Sequence, residues 1–316
     1  MAHEIETMFY LNETPWHGLG QRLLEVPTIE QAIIAAGLDW SVSTKELYLA
    51  DGTKAPSKAV VRESDNSILG VVGEKYTPLQ NEDAFKFFNP FLESGQATLE
   101  TAGALRDGKR VWILAKINKD PMDIGGGDLV EKFILLAHGH DGLMSVRTGF
   151  TPIRVVCNNT LSMAVSNGAS QLIRVKHTKN IKQNLANVAE IMNAANQKFE
   201  ATAEQYRKLA NTDINSADLE KFVKLVFVGP KYEELELDGK TPARDVMPKV
   251  IRLFEEGRGS ELKSANGTYW GAYNAINEYL GYERGEDKGA RLDKMWFGDS
   301  ANLNKKALDI AIKMAA

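Results

Sequence analysis

A chain of 316 residues with 43% hydrophobic content can bury one large core or two ordinary ones. Its formal charge of −4 excludes a whole-molecule field that draws in nucleic acid, so any such binding needs a local patch. A single cysteine, Cys157, excludes an internal disulfide and a Cys-based zinc site.

Met1 to Tyr10 carries His3, Glu4 and Glu6 where a leader would be basic and apolar. No apolar run reaches about 18 residues, so a cytoplasmic protein without a membrane partner is expected. Thr14 to Gly20 packs Pro15, Trp16, His17 and two glycines into an ordered loop, with His17 read as a hydrogen-bonding loop residue. Thr28 predicts a helix cap for Ile29 to Ala36, stopped at Gly37. Alternation from Trp40 to Leu49, the Asp51-Gly52 turn, Ala59 to Arg62 and Ile68 to Val72 predict a meander of three strands. Gln80 or Asn81 starts a helix whose Phe85, Phe88 and Leu92 share a core face.

Ala97 to Leu105 and Arg110 to Ile117 form a hairpin whose turn, Arg106 to Arg110, gathers Arg106, Lys109 and Arg110 against Asp107. Gly125 to Gly127 lacks the Lys-Ser/Thr of a phosphate loop and reads as a flexible connector. Glu131 to Gly139 is a strand. His138, His140 and Asp141 have the residue types of a metal site, although Asp-Gly in a turn explains Asp141 without one.

Ser145 to Ala164 is the densest stretch. Val146 to Thr151 and Ile153 to Cys157 read as strand on either side of Pro152, with Cys157 buried on the apolar side. Asn158 suits a left-handed turn and Asn159 a helix cap, which would place Arg154 beside free backbone N–H groups in a phosphate-binding arrangement; the commoner alternative is that Arg154 pairs with a carboxylate and the Asn pair is only a cap. From Leu172 the pattern turns to a 3.6 period, with one long helix from Ile181 to about Leu209. Its approach holds Arg174, Lys176, Lys179 and Lys182 and no carboxylate. Further helices are predicted over Ser216 to Phe227, Ala243 to Glu256, Thr268 to Leu280 and Asn302 to Met314. Tyr269, Trp270, Tyr273 and Tyr279 read as packing at helical spacing.

The fold class predicted is therefore α+β: a mostly antiparallel N-terminal sheet with flanking helices, residues 1–172, and a helical region packed on it, residues 173–316.

TPWHGLG (Thr14 to Gly20), YTPLQNEDAF (Tyr76 to Phe85), ETAGALRDGKRVWILAKI (Glu100 to Ile117), FTPIRVVCNNTL (Phe150 to Leu161) and GTYWGAYNAINEYL (Gly267 to Leu280) resemble a family of phage and plasmid-like proteins built on a conserved domain of unknown function. The resemblance implies a role in mobile-element biology, in the cytoplasm of a host cell. It also implies a mixed sheet and helices distantly similar to phage single-strand annealing proteins.

Two functions without catalytic chemistry follow. The first is binding of single-stranded nucleic acid, single-stranded DNA above all, by a homo-oligomer that promotes annealing in recombination. Its binding set is Arg106, Lys109, Arg110, Arg147, Arg154, Asn158, Asn159, Lys176, Lys179 and Lys182. The second is a protein-interaction module, for example an antagonist of host defence. A metal-dependent nuclease using His138, His140 and Asp141 ranks third, and no cofactor is called for.

Overall fold

The computed structural model describes residues 5–11, 20–154, 159–160, 173–194, 197–233, 243–285, 294–295 and 298–316. It is α+β, as predicted. Contacts divide the chain into two units. The first takes residues 1–119, 133–150 and 170–195, and the second takes 120–132, 151–169 and 196–316.

In chain order the first elements are β1 (Ile5–Tyr10), β2 (Gln21–Arg22), α1 (Ile29–Ala35), β3 (Val42–Tyr48), β4 (Lys54–Arg62), β5 (Ile68–Gly73), α2 (Asn81–Lys86), α3 (Asn89–Glu93), β6 (Ala97–Leu105) and β7 (Arg110–Ile117), all in the first unit. β8 (Met122–Asp123) belongs to the second unit. β9 (Leu129–Gly139) enters the first unit at Phe133, and β10 (Val146–Arg154) leaves it after Phe150. β11 (Asn159–Thr160) falls in the second unit, and β12 (Ile173–Val175) and α4 (Ile181–Ala194) in the first.

The large sheet runs β10-β9-β7-β6-β1-β2 with β12 added on β10; β1 pairs β2 in parallel, while β1 with β6, β6 with β7, β7 with β9 and β10 with β12 are antiparallel. β7 and β9 are nearly continuous apolar runs, and both of their faces are buried, with Trp112, Ile113, Leu136 and Ala137 at 1% exposure or less. Such runs belong to strands covered on both sides. The β6–β7 turn closes through the Lys109 amide donating to the Arg106 carbonyl, with Asp107 and Gly108 at positive φ, the geometry that suits a right-twisted hairpin.

β3, β4 and β5 form the expected three-stranded meander. It meets the β9–β10 loop so closely that a Cβ on Gly70 would fall 2.6 Å from the Asp141 Cα, which accounts for the glycine in mid-strand. α1 begins as predicted: the Thr28 hydroxyl accepts from the Gln31 amide, and the Gln31 side chain accepts from the Thr28 amide.

The second unit is helical apart from its short strands. It holds α5 (Gln197–Ala210), α6 (Ser216–Phe227), α7 (Ala243–Glu256), α8 (Tyr269–Glu278), which continues as a π-helical turn over Tyr279–Glu283, and α9 (Asp299–Met314). Every residue of α8 is buried, so the Tyr269, Trp270, Tyr273 and Tyr279 stretch is core packing, with α5, α7 and α9 against it. Several of its polar groups bond one another or α9: Tyr273 donates to Asn304 Oδ1 at 2.7 Å, and the Asn277 and Asn304 amides bond each other.

The glycine run expected as a flexible connector is a tight turn. Gly125, Gly126 and Gly127 all have positive φ, the Gly125 amide donates to Asp123 Oδ1, and the Ile124 amide donates to the Asp128 carbonyl. Strand pattern ends at β12, and every described element after it is helical. The long helix predicted from Ile181 is helical over α4 and α5, and residues 195–196 between them lie outside the described residues.

Candidate functional site

Register places most of the predicted cations at one end of the first unit's sheet. Arg110, which opens β7, pairs with Gly139, which closes β9. The loop His140 to Ser145 leads to Val146, which opens β10 and pairs with Val175, the last residue of β12. The β6–β7 turn, the β9–β10 loop and the end of β12 therefore share an edge that crosses five strands, about 19 Å at ~4.8 Å per spacing. Arg106 to Arg110, His140 to Arg147 and Arg174 to Lys179 bring seven Lys and Arg there against Asp107 and Asp141.

Along this edge Arg147 stands directly opposite Arg174 in the ladder. Like charges facing each other across strands are destabilising by a few tenths of a kcal/mol or more. Arg174, Lys176 and Lys179 are exposed, and no ion pair is found for them, or for Lys109, among the described residues. Arg106 sits at φ 56, a left-handed conformation uncommon for a residue with a long side chain. Arg110 Nε lies 3.9 Å from Asp141 Oδ2. Leu143, 80% exposed, projects from the middle of the edge.

Two predicted members are placed differently. Lys182 is an exposed side chain tied to Asp83 at 2.8 Å, so it belongs to an ion pair with α2. Asn159 caps no helix: it lies in β11, paired with Arg154 of β10, both in the second unit, so the predicted phosphate site at a helix start is not formed there. In place of a cap, Asn159 joins an antiparallel ladder with β10. Asn158, Cys157, Trp16 and His17 lie outside the described residues.

Behind the edge is a buried polar cluster that pattern reading did not assemble. His138 and His140 point to one side of β9's end and meet edge-on, 86° apart with ring centroids at 4.8 Å. His177, just after β12, stacks on Tyr76 at 4.8 Å, while the Thr77 amide donates to the His177 carbonyl and the Tyr76 hydroxyl donates to the Gly139 carbonyl. Asn81 donates to the carbonyls of Leu38 and Trp40, and its Oδ1 stands 3.2 Å from His140 Nε2. That bond fixes Nε2 of His140 as the protonated nitrogen, because the Asn81 amide nitrogen is already committed to two carbonyls.

Among the described residues neither ring nitrogen of His138 has a hydrogen-bond partner. Burial holds all three imidazoles neutral: the pKa of His138 is pushed well below the ordinary value, that of His140 to about 3, and that of His177 downward against the opposing pull of the Thr77 and Met144 backbone and Asp141. His138 and His140 pack on each other and Asp141 Oδ1 accepts from the Leu143 amide in the turn; among the described residues no group of three His, Cys, Asp or Glu is placed to hold a metal ion. The cluster explains YTPLQNEDAF: Tyr76, Thr77, Gln80, Asn81 and Phe85 each fasten a neighbouring element. Gln80 makes both bonds of a backbone-like pair with Val42, and Phe85 is fully buried.

A family model described as a domain of unknown function, DUF932, matches residues 68–308. This chain belongs to the DUF932 family. No curated protein and no solved structure matches it. The DUF932 match opens at Ile68, the first residue of β5, and runs into α9, so it takes in the basic edge, the histidine cluster and the buried helix α8. No helix among the described residues of this DUF932 protein is long and apolar enough to cross a membrane.

Proposed function

We propose that this DUF932 protein binds single-stranded nucleic acid through its phosphates at the basic sheet edge, in the phage or plasmid setting that its motifs resemble. The observation that carries the reading is the row of exposed cations Arg174, Lys176 and Lys179, for which no ion pair is found among the described residues, on the edge where Arg174 faces Arg147. A phosphate chain neutralises such exposed cations and releases counterions as it binds.

Tyr76 and Trp40 are turned inward onto His177 and His140, so among the described residues the edge offers cations and the apolar tip of Leu143 in place of aromatic platforms. Binding is then nearly indifferent to base sequence, and unstacked bases remain free to pair, which is what annealing requires. A cytoplasmic homo-oligomer would repeat the edge and lengthen the track.

Fluorescence anisotropy with labelled oligothymidylate, a mixed-sequence single strand and the matching duplex tests this at low salt. The two single strands are expected to bind within a factor of about three of each other, because phosphate contacts carry no sequence information. Binding of neither strand at low salt, or discrimination of the two by a hundredfold, contradicts the proposal.

A further inference from the structure

The opposite electrostatic character appears elsewhere in the first unit. A groove of about 1020 Å³ runs between α1, α2 with α3, and the start of β6. Its floor is apolar, with Ile33, Leu38 and Leu99 buried, and the apolar surface continues outward to Ile34, 66% exposed, and Val26, 63% exposed. Its carboxylates come one from each wall: Glu30 on α1, Asp39 on the link to β3, Glu93 on α3, and Glu82 on α2. Among the described residues the only lining cation, Lys86, pairs with Glu82 at 2.6 Å, and no ion pair is found for Glu30, Asp39 or Glu93.

We infer that this groove docks a partner protein's amphipathic segment, apolar on one face and flanked by Lys or Arg. Three arguments fix the occupant. The lining charge is three negative, the count of four acids against one lysine, so it repels nucleic acid and complements a cation-rimmed segment. The acids are spread along the walls and the space is at or beyond the upper range of small-ligand sites, about 300–1,000 Å³, which favours a polypeptide over a compact amine. The walls are already fixed, by the Thr28–Gln31 capping box, the Gln80 pair with Val42 and the Asn81 bonds to Leu38 and Trp40, so little ordering cost falls on the groove when it is filled. An apolar helix face laid into such a groove, with its basic flanks on the rim, is a recurring mode of recognition. This inference is independent of the nucleic-acid reading, since none of its residues lies on the basic edge.

The test uses the full chain and two labelled synthetic helical peptides of one apolar pattern, one with Leu and Lys and one with Leu and Glu. The Leu–Lys peptide is expected to bind at least roughly tenfold more tightly than its twin, and the double variant Ile34→Lys, Glu93→Lys to lose roughly tenfold. Glu220→Lys with Glu261→Lys, exposed acids of the second unit, should bind like the parent. Equal binding of the two peptides, equal weakening by groove and control variants, or no weakening by the groove variant overturns the inference. So does a parent dimer, seen by light scattering, that the groove variant dissolves, because the occupant is then a second copy. Ile34 and Glu93 are exposed, so folding is expected to survive. Should thermal melting show otherwise, Glu30→Gln with Glu93→Gln serves the same comparison, with an expected loss of about threefold at low salt.

Discussion

Lowering the pH from 7 to 5 is expected to cost the first unit about 4 kcal/mol of stability, from His138 and His140 alone. Both imidazoles are neutral and fully buried in the folded chain, and burial is the first cause of their low pKa values. The unfolded chain takes up protons near the ordinary value of about 6.5, while the folded chain does not, so the stability contribution is complete above that value and is lost as pH falls from about 6.5 toward the folded pKa, about 3 for His140. Each such histidine gives up about 2 kcal/mol over the interval from pH 7 to pH 5.

The groups facing the cluster do not offset this. Asp141 is engaged with Arg110 and with the Leu143 amide, and the Tyr76 phenol is raised above its ordinary pKa by burial, and so stays neutral throughout. The expected signature is a melting temperature lower by on the order of 10 °C at pH 5. His138→Leu should remove about half of the acid loss while costing little at pH 7, because the ring it replaces has two unpaired nitrogens. An acid loss unchanged in that variant, measured by urea unfolding at both pH values, would show that the histidines are not its source.

In the second unit Asp128→Ala is expected to destabilise by about 3 to 5 kcal/mol. The Asp128 carboxylate has no exposed surface and accepts from the Trp270 indole N–H at 2.8 Å and the Ser264 hydroxyl at 2.7 Å. Removing it strands two buried donors and opens a gap beneath Trp270, itself fully buried against Tyr206. Asp128→Asn keeps an acceptor at nearly the same place and should cost about 1 to 2 kcal/mol. Urea unfolding followed by tryptophan fluorescence reads both. Equal costs for the two variants would mean that the negative charge, rather than the acceptor geometry, holds this turn.

Elements whose sequence carries a single strong period were legible. The β3–β5 meander, the β6–β7 hairpin and the helices α6 and α7 stand where alternation, Asp-Gly turns and the 3.6 period put them. Asn159 was not legible because an Asn pair serves equally as a cap and as a strand end, and only a partner strand, β10, decides. Nor was the role of Asp128, since three glycines before it mask a turn whose carboxylate reaches residues 136 and 142 positions away.

For the candidate site, the cations were readable as charge runs, but their assembly on one edge depends on ladder register, which links Arg110 to Gly139 and Val146 to Val175. Arg174 was visible only as part of the approach to α4. Its position opposite Arg147 makes it central, and no local pattern announces a cross-strand pair of like charges. The histidine cluster joins residues from β9, the start of α2 and the end of β12, so its only local signal was a polar, aperiodic Tyr76 to Asn81 before a helix.

The central claim, phosphate binding at the basic edge, is tested most directly by the salt dependence of single-strand affinity in the parent chain and in the triple variant Arg174→Ala, Lys176→Ala, Lys179→Ala. With four to five phosphates neutralised, the slope of log K against log salt between about 50 and 200 mM is expected near −3, and the variant should bring it to about −1 with the fold intact. A folded variant with the parent's affinity and slope would contradict the account.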